Sequence, residues 1–179
     1  MAEFICNREY LQEFYQSLLL PSQNMHIIDS RTLLFSNLKT LNLAQNSISC
    51  LEHLPPHCLQ LFIDFNCLSS FQLKNKHPLQ LLSASHNDFA DQDISCLPHT
   101  FPELRCLNIS YNRLCHLKET VNTLGLLPHL GILVTFNNPL SMLPIYYSYI
   151  TDHLSLAHFD GVKYVKEEPK PEPPKEPPH

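Results

Sequence analysis

Residues 50 to 58, CLEHLPPHC, space two cysteines and two histidines as C-x2-H-x3-H-C, a pattern that invites a zinc ion. Zinc takes thiolate and imidazole ligands, but only when four of them converge on one point. Cys96-Leu-Pro-His99 and Cys115-His116 put a thiol near an imidazole. A cysteine nucleophile needs its base within hydrogen-bond reach and an electropositive surround. Neighbouring residues on one turn of chain usually point apart, so buried or half-buried structural thiols are the reading for both pairs. Asp91 and Asp93, in DFADQDI, form a small acidic patch of the kind that solvated loops carry. Asn108-Ile-Ser110 is formally a glycosylation sequon, expected to stay unmodified without secretion.

The composition narrows the chemistry further. Three glycines in 179 residues leave no GxGxxG and no GxxxxGK[ST], so glycine-built phosphate loops are excluded. The formal charge of −5 and the lack of a basic run argue against gripping a nucleic-acid backbone. Charges at Glu3, Arg8, Glu9 and Glu13 break any secretory leader, and no apolar run reaches 18 residues. Seven cysteines without framework spacing fit a reduced, cytoplasmic protein. At 44% hydrophobic residues, the chain has the means to bury a core.

What positions these residues is a repeat. LKTLNLAQNSI, residues 38 to 48, follows the template L-x-x-L-x-L-x-x-N-x-L. With the ninth place set at Asn46, Asn66, Asn87, Asn112 and Asn138, the template returns five times. Only Cys58, Ala84 and Thr135 are weaker than ideal among its 25 fixed places. The asparagines stand 20, 21, 25 and 26 residues apart, the range of leucine-rich repeats.

The spacing has a physical reason. L-x-L has the period of a strand and turns two apolar residues to one side. One such strand cannot bury its apolar side alone, but stacked neighbours form a continuous core. The turn that follows strands amides and carbonyls, and an asparagine can both accept and donate to satisfy them. In this frame Cys58 fills a core place while His53 sits between Leu51 and Leu54, so the zinc pattern does not converge. No metal, cofactor or catalytic residue is assigned.

The reading is an α/β solenoid, a short horseshoe with parallel concave strands and capped ends. Residues 1–30 are the N-terminal helix and cap, 31–140 the five repeats, 141–166 the C-terminal cap, and 167–179 a proline-rich disordered tail. Tyr10, Leu11, Phe14, Tyr15, Leu18 and Leu19 fall at helical spacing over residues 7 to 20, with Pro21 as the stop. MHII, residues 25 to 28, reads as a short cap strand or an incomplete first repeat. From Glu167, EEPKPEPPKEPPH has six prolines. Its two P-x-x-P windows are read as a stiff spacer rather than a ligand for an aromatic groove.

The repeats and their ending resemble the class of leucine-rich repeats that includes the phosphatase-one regulators, the axonemal dynein light chain and the spliceosomal U2 A-prime protein. Tyr147, Ile150, Leu154, Phe159-Asp160-Gly161 and Val165 resemble that class's terminal cap motif. LLFSNLKTLNLAQNSIS, FPELRCLNISYNRL and LVTFNNPLSMLPIYYSYITDHL are similar to the family of leucine-rich repeat-containing protein 43, from about Thr32 to Val165. The resemblance implies a non-enzymatic binding scaffold, set among proteins of motile cilia, and brings no enzymatic residue.

Places 3, 5, 7 and 8 of each repeat face the concave side, and Asp64 is the one charged residue among those 20 places. Aromatic enrichment and charge depletion are marks of interface centres. The candidate partner-binding residues are Phe62, Asp64, Phe65, His86, Asn108, Tyr111, Val134 and Phe136. The expected partner is a helix or extended segment of another protein, with no direct nucleic acid, membrane or small-molecule substrate. A ribonucleoprotein role like that of U2 A-prime, through a protein that itself binds RNA, is the alternative.

Overall fold

The computed structural model describes residues 13 to 164. Eight short strands form one sheet in chain order. β1 (Ser17–Leu19), β2 (Thr40–Asn42), β3 (Gln60–Phe62), β4 (Leu81–Ser83), β5 (Cys106–Asn108), β6 (Ile132–Val134) and β7 (His158–Phe159) pair in parallel. β8 (Val162–Lys163) turns back antiparallel on β7. Strands β2 to β6 are the five L-x-L segments, each with its place-four leucine in register with the next. That row, Leu41, Leu61, Leu82, Leu107 and Leu133, lies buried in the core.

Repeat length sets what lies behind the strands. The two short repeats have extended backs, joined by a bridge between Leu51 and Phe71. The longer ones have room for helices: α1 (Leu97–Thr100) behind β4 and α2 (Leu117–Leu124) behind β5. α2 buries Leu117, Val121 and Leu124 at helical spacing. A 3-10 turn (Pro139–Met142) and α3 (Tyr146–His153) cover the last coil.

The place-nine asparagines tie each coil to the one before. Asn87 donates to the carbonyls of Ala84 and Ser85 in its own turn and of Ile63 in the preceding repeat. Its Oδ1 accepts the N–H of Leu68 at 2.9 Å. Asn66, Asn112 and Asn138 repeat this with Ile48, Phe89 and Leu114 as donors. One amide side chain thus satisfies groups from two coils that the turn would otherwise bury unpaired.

The helical reading of residues 7 to 20 fails at its end. Ser17–Leu19 is a strand, with Leu18 in register with Leu41, and residues 7 to 12 lie outside the described part. The reason is the open edge of β2, whose carbonyls need donors: Leu20 and Ser22 supply theirs to Asn42 and Ala44. The same template then continues with Tyr15, Leu18, Leu20, Gln23 and Met25 in the fixed places. Asn46 Oδ1 accepts from Met25, which holds the place of Ile48, Leu68 and Phe89 in later coils. Residues 15 to 25 are therefore a degenerate coil that lacks its own asparagine, and MHII begins at its last place instead of forming a strand.

The C-terminal end closes through a polar triad. Thr135, a weak place in the template, is fully buried. Its hydroxyl lies 2.6 Å from the Tyr146 hydroxyl, which donates to Asp160 Oδ2 at 2.5 Å. Asp160 Oδ1 accepts the N–H groups of Thr135 and Phe136. Gly161, at φ 81°, allows the sharp return into β8. The buried tyrosine of the cap is Tyr146 rather than Tyr147, which is 44% exposed, and Val165 lies outside the described residues.

Candidate functional site: the concave face and its aromatic rim

The concave surface consists of columns, because residues at one template place lie side by side in successive strands. Place eight has a special backbone. Gln45, Phe65, His86, Tyr111 and Asn137 all have φ between 52° and 58°, in the left-handed region that costs a non-glycine residue about 1 kcal/mol or more. The asparagine that follows each of them holds that turn through its hydrogen bonds.

Three of these residues carry rings, and the rings stack. Phe65 and His86 lie 4.0 Å apart and 11° from parallel, and His86 and Tyr111 3.9 Å apart and 14° from parallel. Phe136, one place earlier in the next repeat, meets Tyr111 edge-on at 5.4 Å. The result is an aromatic rim across four repeats. Phe65 is 50% exposed, Tyr111 41% and Phe136 38%, so the rim is not part of the core.

Beside the rim runs a hydroxyl and amide strip. Asp64 Oδ1 accepts three hydrogen bonds: from Ser83 Oγ at 2.7 Å, Ser85 Oγ at 2.6 Å and Ser85 N at 2.9 Å. Asn108 Nδ2 donates to Ser83 Oγ, and Asn108 Oδ1 accepts from the N–H and hydroxyl of Ser110. On the far side of the strip, place three turns apolar at Leu81, Cys106 and Ile132. Burial pushes the Cys106 thiol up from its ordinary range.

The eight candidate residues therefore divide. Phe65, His86, Tyr111 and Phe136 come together as one rim. Asp64 and Asn108 share the polar strip through Ser83. Phe62 and Val134 are half-buried at the ends of their strands and join no ring stack. The left-handed backbone under the rim has no single-residue signal, since Gln, Phe, His, Tyr and Asn share only their place in the repeat.

Cys58 is fully buried, and burial raises its thiol to about 11. Among the described residues no three His, Cys, Asp or Glu side chains gather where they could hold a metal ion. His53 and His77 line a cleft behind the first two repeats, with Leu33, Leu54 and Leu73. The Nδ1 atoms of both histidines are buried and have no hydrogen-bond partner among the described residues. Desolvation lowers the His77 pKa.

Asp91 is not a solvated loop residue. Its carboxylate accepts from Cys115 N, His116 N, His116 Nδ1 and Thr120 Oγ1, so it caps α2 from the preceding repeat. Burial would raise this carboxyl, but these donors together hold it below the ordinary value. His116 is raised in turn by its hydrogen bond to Asp91.

The repeating register, the asparagine ladder and the capped ends decide the class. The chain is a leucine-rich-repeat protein. No family model matches it. It is 30% identical over 156 residues to leucine-rich repeat-containing protein 43 of Mus musculus, covering 83% of this chain and 23% of that one. The Homo sapiens protein of that name is 29% identical over 153 residues, covering 82% and 23%. The chain thus spans about a quarter of the length of these curated relatives. Its fold is similar to a Drosophila melanogaster SNF/U2A' complex structure, with TM-score 0.52, 19% identity, and coverage of 84% of this chain and 75% of that one. It is also similar to an internalin from Listeria monocytogenes, with TM-score 0.51, 16% identity, and coverage of 90% and 52%. These structural likenesses bear on the fold of the repeat protein alone. No helix among the described residues is long and apolar enough to cross a membrane.

Proposed function

We propose that this chain is a non-enzymatic scaffold whose concave face holds a helix or extended segment of another protein. The observation that carries the proposal is the half-exposed rim of Phe65, His86, Tyr111 and Phe136. A surface that displays stacked aromatics beside satisfied hydroxyls, with one charge, has the make-up of an interface centre. The rings have no role in the core that would explain them.

The ring spacing favours a protein over RNA. At 4.0 Å and 3.9 Å, the faces of His86 are both occupied, and admitting a base would require doubling each separation. The concave places carry no Lys or Arg to follow a phosphate backbone. A ribonucleoprotein role would run through a protein partner on this same face.

The cysteine content supports a cytoplasmic setting, and the family resemblance supports a ciliary one. The test is affinity purification from ciliated-cell lysate with three proteins: the native chain, the double variant Phe65→Asp with Tyr111→Asp, and Lys118→Glu on α2. Loss of the same axonemal proteins from the double variant alone is the expected result. Retention of the full set by the double variant would move the binding site off the concave face.

A further inference from the structure

Asp64 is built differently from the other polar residues of the strip. Its Oδ1 is saturated by two hydroxyls and one amide, which fix the carboxylate in place. No donor or cation among the described residues reaches Oδ2. Among the described residues the buried side-chain atoms that lack partners are His53 Nδ1 and His77 Nδ1, so Oδ2 of this half-buried residue meets solvent. Phe65 follows Asp64 in sequence and stacks on His86 through one face while remaining 50% exposed.

We infer that the concave face takes a partner segment carrying an arginine, whose guanidinium pairs with Asp64 Oδ2 and lies against the Phe65 ring. The inference rests on the concave-face reading above and names the chemistry of its partner. Charge complementarity carries it: the 20 concave places hold one carboxylate and no Lys or Arg to neutralise it. A guanidinium suits the site better than an ammonium. It offers planar donors to a carboxylate and stacks on an aromatic face, whereas lysine brings a strongly hydrated point charge. The carboxylate is already oriented by Ser83 and Ser85, so the pair needs little side-chain ordering on this side.

The experiment titrates the full 15N-labelled chain with the capped peptides acetyl-Leu-Arg-Leu-amide and acetyl-Leu-citrulline-Leu-amide, which differ in charge at nearly constant shape. The reporters are the Ser85 amide, bonded to Asp64 Oδ1, and the amides of Phe65 and Tyr111. Saturable shifts with the arginine peptide, about tenfold weaker with citrulline and lost in Asp64→Asn, are expected. The citrulline arm needs no mutation, so it stands even if Asp64→Asn perturbs the strip. Equal shifts at Phe65 and Tyr111 from both peptides would overturn the arginine preference and leave concave-face recognition standing. No shift at the three amides from either peptide would overturn the inference outright.

Discussion

Tyr146 donates its hydroxyl to Asp160 Oδ2 at 2.5 Å, so the helix that closes the last coil is tied to the turn after β7. The same hydroxyl lies 2.6 Å from Thr135 Oγ1 in the core, and with its single proton given to Asp160 it must accept the threonine proton there. Burial, and then the bond to Asp160, raise the Tyr146 hydroxyl well above the ordinary tyrosine value.

Tyr146→Phe keeps the ring and removes the shared atom, leaving Thr135 without its partner in a dry site. The expected cost is about 1–3 kcal/mol, read as a lower urea midpoint. An absorbance titration gives an independent check: native Tyr146 should stay protonated above the ordinary tyrosine range. Because the folded value is raised, the contribution is full below the unfolded value near 10 and declines as pH rises above it.

The asparagine ladder makes a graded prediction. Asn112→Leu would strand the buried N–H of Phe89, while the carbonyls of Ala84, Ile109 and Ser110 each lose one donor and keep Asn87 Nδ2, Asn138 Nδ2 and His86 N. With one buried N–H left unsatisfied, a loss of about 1–3 kcal/mol is expected. Asn46→Leu, at the open end where several bonds are only part-buried, should cost less. Denaturation of both variants should show that order.

Much of this was legible because the template encodes both a strand period and a polar place. Leu41 with Leu43, or Leu107 with Ile109, can only be a strand turned to one side, and an asparagine five residues beyond the first of them must serve the turn. The first coil was not legible for the same reason. Tyr15 and Gln23 occupy its leucine and asparagine places, and Leu18 and Leu19 also satisfy a helical period. Asp91 escaped because its partners lie 24 to 29 residues away, a distance that only the stacking of coils closes. The frame did bring Phe65, His86 and Tyr111 into one column, but ring contact depends on a backbone turn that residue types do not announce.

The Asp91 cap should respond to pH in two directions. His116 has a raised folded value, so its share is present below about 6.5 and is lost as pH rises through the folded value. Asp91 has a lowered value, so its share is present above about 3.9 and is lost as pH falls through the folded value. His116→Gln should therefore lower the melting temperature at pH 5.5 and match the native chain at pH 8.5. Asp91→Ala should lower it at both, since Thr120 and the two amides lose their acceptor. Equal effects of His116→Gln at the two pH values would mean that the imidazole contributes packing and no charge.

The degenerate first coil can be told from a helix by which amides are protected. In the structure Leu20 N–H bonds Asn42 O, Ser22 N–H bonds Ala44 O, and the N–H groups of Gln23 and Met25 both reach Asn46 Oδ1. A helix through Leu20 would instead bond each amide four residues back. Asn46→Ala removes the shared acceptor without touching β1 or β2. Hydrogen exchange at Gln23 and Met25 is expected to accelerate at least tenfold, about 1.4 kcal/mol, while Leu20 keeps its protection through the sheet. Unchanged exchange at Gln23 and Met25 would detach residues 21 to 25 from the ladder and leave β2 with only a strand on its open edge.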